Sequence, residues 1–320
     1  MENELSLHKK QAADCTFCCF YDSCFIDGQG TPVAGECEPG YVWKSNTNKP
    51  FRGRAIYQPS GAAGEYSQWA CNIFNGCPNR CDYCYNRHSM TSKVLGADEV
   101  TMKRQLLDAP KHDKHGREQN DWLDVVYGEI KENLDAIIRD GGLFFSFVSD
   151  PLLKSTWYAI YGVVNMCDCF YDKIVPITIL TKSAWWHGPG AFLDREAHYI
   201  RRMLQNHKST ISLGFTLTGM EYMERHCISN TNERIEAMAW AHDQGIYTWA
   251  SIEPVIDYQM ALDVIMRSLP FCREYRIGLA SKLGITYYPA DVRRFMECVS
   301  RTIGDNAKII WKKSVLDKIK

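Results

Sequence analysis

Apolar and polar positions along this chain repeat with two different periods. Leu123, Val126, Tyr127, Ile130, Leu134, Ile137 and Ile138 recur at three- and four-residue spacing, which marks one face of an amphipathic helix. Gly141 and Gly142 supply its stop. Short apolar runs follow at 143–148, 174–180, 211–217, 246–252 and 275–279, each of strand length. Helical patterns lie between them, for example at 233–242 and 259–268. Asn230 followed by Glu233 reads as a helix N-cap, and Gly245 as a C-terminal stop. An earlier apolar run, 69–74, reads as a further strand. Six strand–helix units in alternation predict a parallel sheet. Six are too few for an eight-stranded closed barrel.

Composition narrows the class. The chain has 320 residues, 45% of them apolar, and a formal net charge of −1. That suits one large domain with an ample core. A near-neutral charge offers no basic stripe, which speaks against duplex nucleic acid as partner. No apolar run is long enough to span a bilayer, and residues 1–10 do not resemble a secretory signal. These features predict a cytoplasmic protein without membrane attachment. The expected division is a Cys-rich N-terminal extension over 1–66, an α/β core over 67–285 and a helical C-terminal extension over 286–320. The stretch 108–121, with His112 and His115, reads as a charged, solvated loop.

The 14 cysteines change the picture most. Reduced, clustered cysteines in a cytosolic chain read as metal ligands. Cys77, Cys81 and Cys84 stand at C-x3-C-x2-C spacing in Gly76-Cys77-Pro78-Asn79-Arg80-Cys81-Asp82-Tyr83-Cys84-Tyr85. Gly76 and Pro78 suit a tight turn, and Asn79 tolerates unusual backbone angles. Three thiolates can hold one face of a cube-shaped iron–sulfur cluster and leave one iron open, the mark of a reactive metal site. The structural alternative is a zinc knuckle with Cys71 or His88 as fourth ligand. Further upstream, Cys15, Cys18, Cys24 and Cys37 offer ligands for a second site, either an iron–sulfur cluster or zinc, with Cys19 spare. Without metal they would pack as small apolar residues. Cys167, Cys169, Cys227, Cys272 and Cys298 are scattered.

The C-x3-C-x2-C spacing, with aromatic Tyr83 before the third cysteine, resembles the signature of the radical S-adenosylmethionine (radical SAM) superfamily. The resemblance implies an open (β/α)6 partial TIM barrel. It implies that Cys77, Cys81 and Cys84 bind a 4Fe-4S cluster whose fourth iron chelates S-adenosylmethionine. It also implies formation of a 5′-deoxyadenosyl radical that abstracts a hydrogen atom, with Tyr83 near the adenine. Cluster and cofactor carry that chemistry; the protein orients them and excludes water. An electron donor such as flavodoxin or ferredoxin is the implied reductant.

In parallel α/β folds ligands sit at the carboxyl ends of strands. Ser149-Asp150-Pro151 stands there in place of the family's usual Gly-Gly-Glu-like segment. That variant resembles the spore photoproduct lyase branch, where Ser149 and Asp150 would take the cofactor's amino group; a turn and helix cap would use the same residues. Thr181-Lys182-Ser183 ends the next strand and is similar to that branch. It implies a hydrogen bond from Ser183 and a carboxylate partner in Lys182, against a helix cap beside a surface lysine. Arg234 would reach the same carboxylate, against a first-turn arginine facing solvent. The run 56–66 also resembles this branch's lead-in. Trp186, His187 and Glu253 are candidate substrate contacts, with core packing the alternative for the aromatics. The branch's hydrogen-donating cysteine has no counterpart placed by the sequence.

Three functions follow. One is a lyase acting on a small nucleoside-like substrate; an overall likeness to queuosine lyases points to release of queuine from queuosine or its phosphate. The second is DNA repair like that of spore photoproduct lyase. The third is a non-catalytic zinc-binding protein.

Overall fold

The structure, a computed structural model, describes residues 53–88, 95–108, 121–170, 172–281 and 283–320. Cys15, Cys18, Cys24 and Cys37 lie outside the described residues, as do His112 and His115.

The described residues form ten strands: β1 (Ile56–Tyr57), β2 (Ala70–Cys71), β3 (Phe74–Asn75), β4 (Thr101–Met102), β5 (Leu143–Phe145), β6 (Ile177–Thr181), β7 (Ile211–Thr216), β8 (Tyr247–Val255), β9 (Glu274–Leu279) and β10 (Lys308–Trp311). The main sheet runs β1-β2-β5-β6-β7-β8-β9-β10. β1 pairs antiparallel with β2, and every later neighbour pair is parallel. Strand order therefore follows chain order. Right-handed crossovers that never reverse place all connecting helices on one face, and the twisted sheet curls around the other. The curl is visible in side-chain contacts. Phe144 on β5 and Trp249 on β8 have two strands between them, about 14 Å in a flat sheet. Their ring centroids lie 6.3 Å apart. Gly214 on β7 permits this, because a Cβ there would stand 2.1 Å from the Trp249 ring. The result is an open, partial TIM barrel with β1 and β10 at its edges.

Alternation within strands sorts the two faces. Ile177, Ile179, Ile211, Leu213 and Phe215 are buried toward the helices. The helix Asp121–Arg139 presents Val126, Ile130 and Ile137 to the same core, as its spacing predicts. Gly142 after it has φ +94°, and a Cβ would lie 2.0 Å from the Pro176 carbonyl oxygen, so the stop there requires glycine. Helix Thr231–Asp243 opens with the expected cap. Asn230 Oδ1 accepts from Glu233 N at 3.0 Å, and Glu233 returns the bond to Asn230 N at 2.8 Å.

Two elements differ from expectation. The single strand expected over 69–74 breaks at Asn72, whose side chain bonds Tyr57 Oη at 2.6 Å and Phe147 N at 2.9 Å. β3 then leaves the main sheet to pair with β4. The helical extension expected over 286–320 does contain helix Pro289–Ile303, but β10 follows as a seventh parallel strand on β9. Four residues that begin with a lysine give too little alternation to read from sequence. Among the described residues no helix is long and apolar enough to cross a membrane.

Candidate metal and cofactor site

The Cys loop leaves β3 at the carboxyl rim of the barrel. Gly76 turns it with φ +78°, and a Cβ there would stand 2.0 Å from the Glu99 carbonyl oxygen. Cys77 N donates to Ala97 O at 2.8 Å, and Cys84 N to Cys81 O at 3.0 Å. The unusual backbone angle expected at Asn79 falls instead on Arg80, at φ +46°. Arg80 is held there by Asp98, Nε to Oδ2 3.1 Å. Asn79 spends its side chain elsewhere.

That partner is Asp150. Its Oδ2 accepts from Asn79 Nδ2 at 3.1 Å and Lys182 N at 2.7 Å; its Oδ1 accepts from Thr181 Oγ1 at 2.6 Å and Leu152 N at 3.1 Å. One buried carboxylate therefore buckles the Cys loop to the ends of β5 and β6. With four donors in place it is a positioning group, where the sequence suggested an acceptor for a cofactor amine. Arg234 departs from expectation in the same way. It is fully buried, and its guanidinium donates to Lys182 O at 2.8 Å, Thr216 O at 3.1 Å, Glu224 Oε2 at 2.6 Å and Ser229 O at 2.7 Å. Four of its five N–H groups are taken, so it fixes the rim and does not reach into the site.

Glu224 and Cys227, on the loop after β7, are members of the site that the sequence did not single out. Glu224 accepts from Tyr83 Oη, Thr218 Oγ1 and Arg234. Burial pushes its carboxyl up, but Arg234 and Lys182 outweigh burial and lower its pKa. Cys227 Sγ lies 3.7 Å from Cys81 Sγ. The Cys81 thiol falls to about 7, first through its bond with Cys227 and then, against burial, through Lys182 and Arg234. Burial and nearby Asp150 push Cys77 up to about 12. A metal takes such a group as thiolate and displaces its proton. Lys182 is raised: burial opposes its charge, but Cys81, Glu224 and Cys227 outweigh it. Its Nζ sits 5.5 Å from the Tyr83 ring centroid and makes no ion pair among the described residues.

Three buried side chains at or shortly after the ends of β3, β5 and β6 have no hydrogen-bond partner among the described residues: Asn75 through both amide atoms, Ser149 through Oγ and Ser183 through Oγ. Buried polar groups are nearly always paired, so orphans on three segments that follow strands beside the Cys loop fit a polar ligand. The donor set fits as well. Three thiols on one loop suit a cluster, and a free ammonium with two hydroxyls suits an amino-acid-bearing cofactor. The zinc-knuckle alternatives are otherwise engaged. Cys71 is buried in β2, and His88 Nε2 bonds Asp82 O at 2.8 Å. Among the described residues no three His, Cys, Asp or Glu side chains gather around a single ion position.

The remaining candidates divide. Trp186 is fully buried, donates to Ser183 O at 3.0 Å and packs on Trp240 at 5.7 Å. His187 packs on Trp240 at 5.9 Å, and burial lowers its pKa. Trp186 packs in the core as the alternative reading expects, and His187 is half-buried beside it. Glu253 stands inside the barrel near the end of β8. It accepts from Tyr66 Oη at 2.5 Å and Lys312 Nζ at 2.7 Å, and Gly278 makes room for it, since a Cβ there would be 2.6 Å from its Oε1.

Comparison with known proteins agrees with this geometry. No curated protein sequence matches the chain. Solved structures of similar fold include a spore photoproduct lyase variant (TM-score 0.56, 12% identity, 82% of this chain and 81% of that chain). Spore photoproduct lyase complexed with dinucleoside spore photoproduct is another (TM-score 0.54, 11% identity, 80% of each chain). A variant with bound AdoMet and dinucleoside spore photoproduct is a third (TM-score 0.50, 11% identity, 76% of each chain). The profile of the Radical SAM superfamily matches residues 71–257, more than half of the chain and the whole of the site from Cys77 to Arg234, and the chain belongs to that superfamily.

Proposed function

We propose that Cys77, Cys81 and Cys84 hold a 4Fe-4S cluster and that the adjoining strand ends hold S-adenosylmethionine for hydrogen abstraction from a nucleoside-like substrate. The observation that carries this reading is the coincidence, on one rim, of three loop thiols with the orphaned Asn75, Ser149 and Ser183. Cluster and cofactor together supply one-electron reductive cleavage, the source of a hydrogen-abstracting 5′-deoxyadenosyl radical. The chain's residues do the positioning. The Lys182 ammonium faces the cofactor carboxylate, and Ser149 and Ser183 offer hydroxyls to its polar end. Tyr83, its phenol fixed by Glu224, offers a ring edge to the adenine. Asp150 and Arg234 keep the Cys loop and the β6 end in register. Glu253, shared between Tyr66 and Lys312, faces the substrate.

The substrate class draws support from spore photoproduct lyase, which is solved with a dinucleoside ligand. The specific reading we carry is a lyase releasing queuine from queuosine or its phosphate, with spore-photoproduct-like repair as the alternative. A flavodoxin or ferredoxin would supply the electron. The test is anaerobic: reconstitute with iron and sulfide, reduce, add S-adenosylmethionine and measure 5′-deoxyadenosine. Wild type should form it and Cys81→Ala should not; equal formation by both overturns the cluster assignment. Queuosine, its phosphate and dinucleoside spore photoproduct are then compared for faster release. Stimulation by the dinucleoside alone decides against the queuosine reading. A colourless protein with zinc at Cys77, Cys81 and Cys84 decides for the non-catalytic alternative.

A further inference from the structure

Cys227 has no part in the function proposed above, yet its position is fixed from both sides. Before it, Asp82 N donates to Met223 O at 2.9 Å, and Arg225 pairs with Asp82 at 3.2 Å. After it, Ser229 Oγ accepts from Ala184 N at 2.8 Å, and Ser229 O accepts from Arg234 at 2.7 Å. Its own N–H donates to Glu224 O at 2.8 Å. These bonds press the thiol against the Cys loop, 3.7 Å from Cys81 Sγ, with Asn79 O at 3.9 Å as the other acceptor. Cys81, Tyr83 and Met220 surround it as a small apolar cluster, where water competes poorly.

We propose that the Cys227 thiol donates a hydrogen bond to the Cys81 sulfur and so makes the cluster held there easier to reduce. The inference rests on the cluster assignment above. A thiol is a weak donor, but a metal-bound thiolate carries negative charge and accepts more strongly than a thiol. Reduction adds negative charge to a cluster and its ligands, so a donor aimed at a ligand sulfur stabilises the reduced form more than the oxidised one. Hydrogen bonds to cluster sulfurs are a recognised determinant of potential. Losing the difference in strength between the two states should make reduction less favourable by up to about fivefold, the worth of one net hydrogen bond. The residue is thus a positioning and tuning group, not a ligand.

The test is a redox titration of the reconstituted full chain, followed by electron paramagnetic resonance, with iron and sulfide analysis of the same samples. Wild type, Cys227→Ala and Cys227→Ser should carry equal iron. Cys227→Ala should shift to more negative potential, with a reduction constant lower by up to about fivefold. Cys227→Ser keeps a donor and should lie nearer wild type. A Cys227→Ala potential equal to that of wild type overturns the proposal. So does loss of iron in both variants, which would make Cys227 a ligand. Absence of any 4Fe-4S signal from wild type would instead sink the cluster assignment, and this inference with it.

Discussion

Single residues in this site differ in how many of their bonding groups the protein itself uses. Asp150 and Arg234 are nearly saturated by protein partners, whereas the half-buried Lys182 has an ammonium with no ion-pair partner among the described residues. Lys182→Met should therefore weaken S-adenosylmethionine binding by tenfold or more, about 1.5–3 kcal/mol for a charge-assisted bond, with iron content unchanged. Equilibrium binding to the reconstituted protein measures it, and unaltered affinity would remove Lys182 from the cofactor site. Lys103 gives a residue-scale pH effect away from the metal. It is 3% exposed, its Nζ donates to Arg54 O at 2.7 Å, and burial lowers its pKa from 10.5 to about 8, against the pull of Cys71 and Glu129. Between those values the unfolded chain binds the proton that the folded chain has released, so this group's contribution to stability rises with pH. Below about pH 8 both states are charged and the full penalty stands, roughly 3 kcal/mol before the lost Arg54 bond is counted. Lys103→Met should gain stability over wild type at pH 7 and lose that advantage by pH 10.5 in paired urea titrations. A constant difference across that range would contradict the assignment. The sequence shows the half of the site that is local in the chain, namely Cys77, Cys81, Cys84 and Tyr83. It hides Glu224 and Cys227, because their partners lie 141 and 146 positions away and meet only when the loop after β7 folds onto the Cys loop.

At the scale of elements, turns rather than strands set the site's precision. Gly76 has φ +78°, and the Glu99 carbonyl lies where its Cβ would go. Gly76→Ala should cost about 1–3 kcal/mol in strain and displace the Cys loop, with lower iron per chain after reconstitution. Gly128, inside helix Asp121–Arg139, has nothing within 4 Å of a Cβ position. Gly128→Ala should stabilise by up to about 1 kcal/mol and leave iron content untouched. Urea unfolding with iron analysis separates the two, and equal effects from both would mean the Gly76 turn does not control the loop. The strand–helix units are legible because the strands are short apolar runs and helices such as Asp121–Arg139 and Tyr258–Ser268 carry an apolar stripe. β3 and β10 are not, because two and four residues are too few to show a period. The orphaned Asn75 ends β3, so the least legible strand carries one of the site's most telling side chains.

For the whole molecule, an open barrel puts every loop that follows a parallel strand on one rim, so chemistry from β2 to β10 converges there. Lys312 after β10 shows how far this reaches. It reaches past β9 to Glu253 on β8, and its Nζ lies 4.0 Å from the Tyr66 ring centroid. On the reading proposed above the barrel rim holds one metal site, and the second cysteine set, Cys15, Cys18, Cys24 and Cys37, precedes the barrel in the sequence. The two sets make independent claims on metal. Replacing Cys77, Cys81 and Cys84 together by alanine should remove the cluster signal and all 5′-deoxyadenosine formation. It should leave the iron or zinc bound by the N-terminal cysteines. Cys24→Ser should do the reverse, lowering total metal while the rim cluster and its reduction remain. Metal analysis of the two variants beside wild type decides both claims together. Metal contents of the two variants that sum to that of wild type establish two sites. A triple variant with no metal at all reduces the protein to the single cluster on the barrel rim.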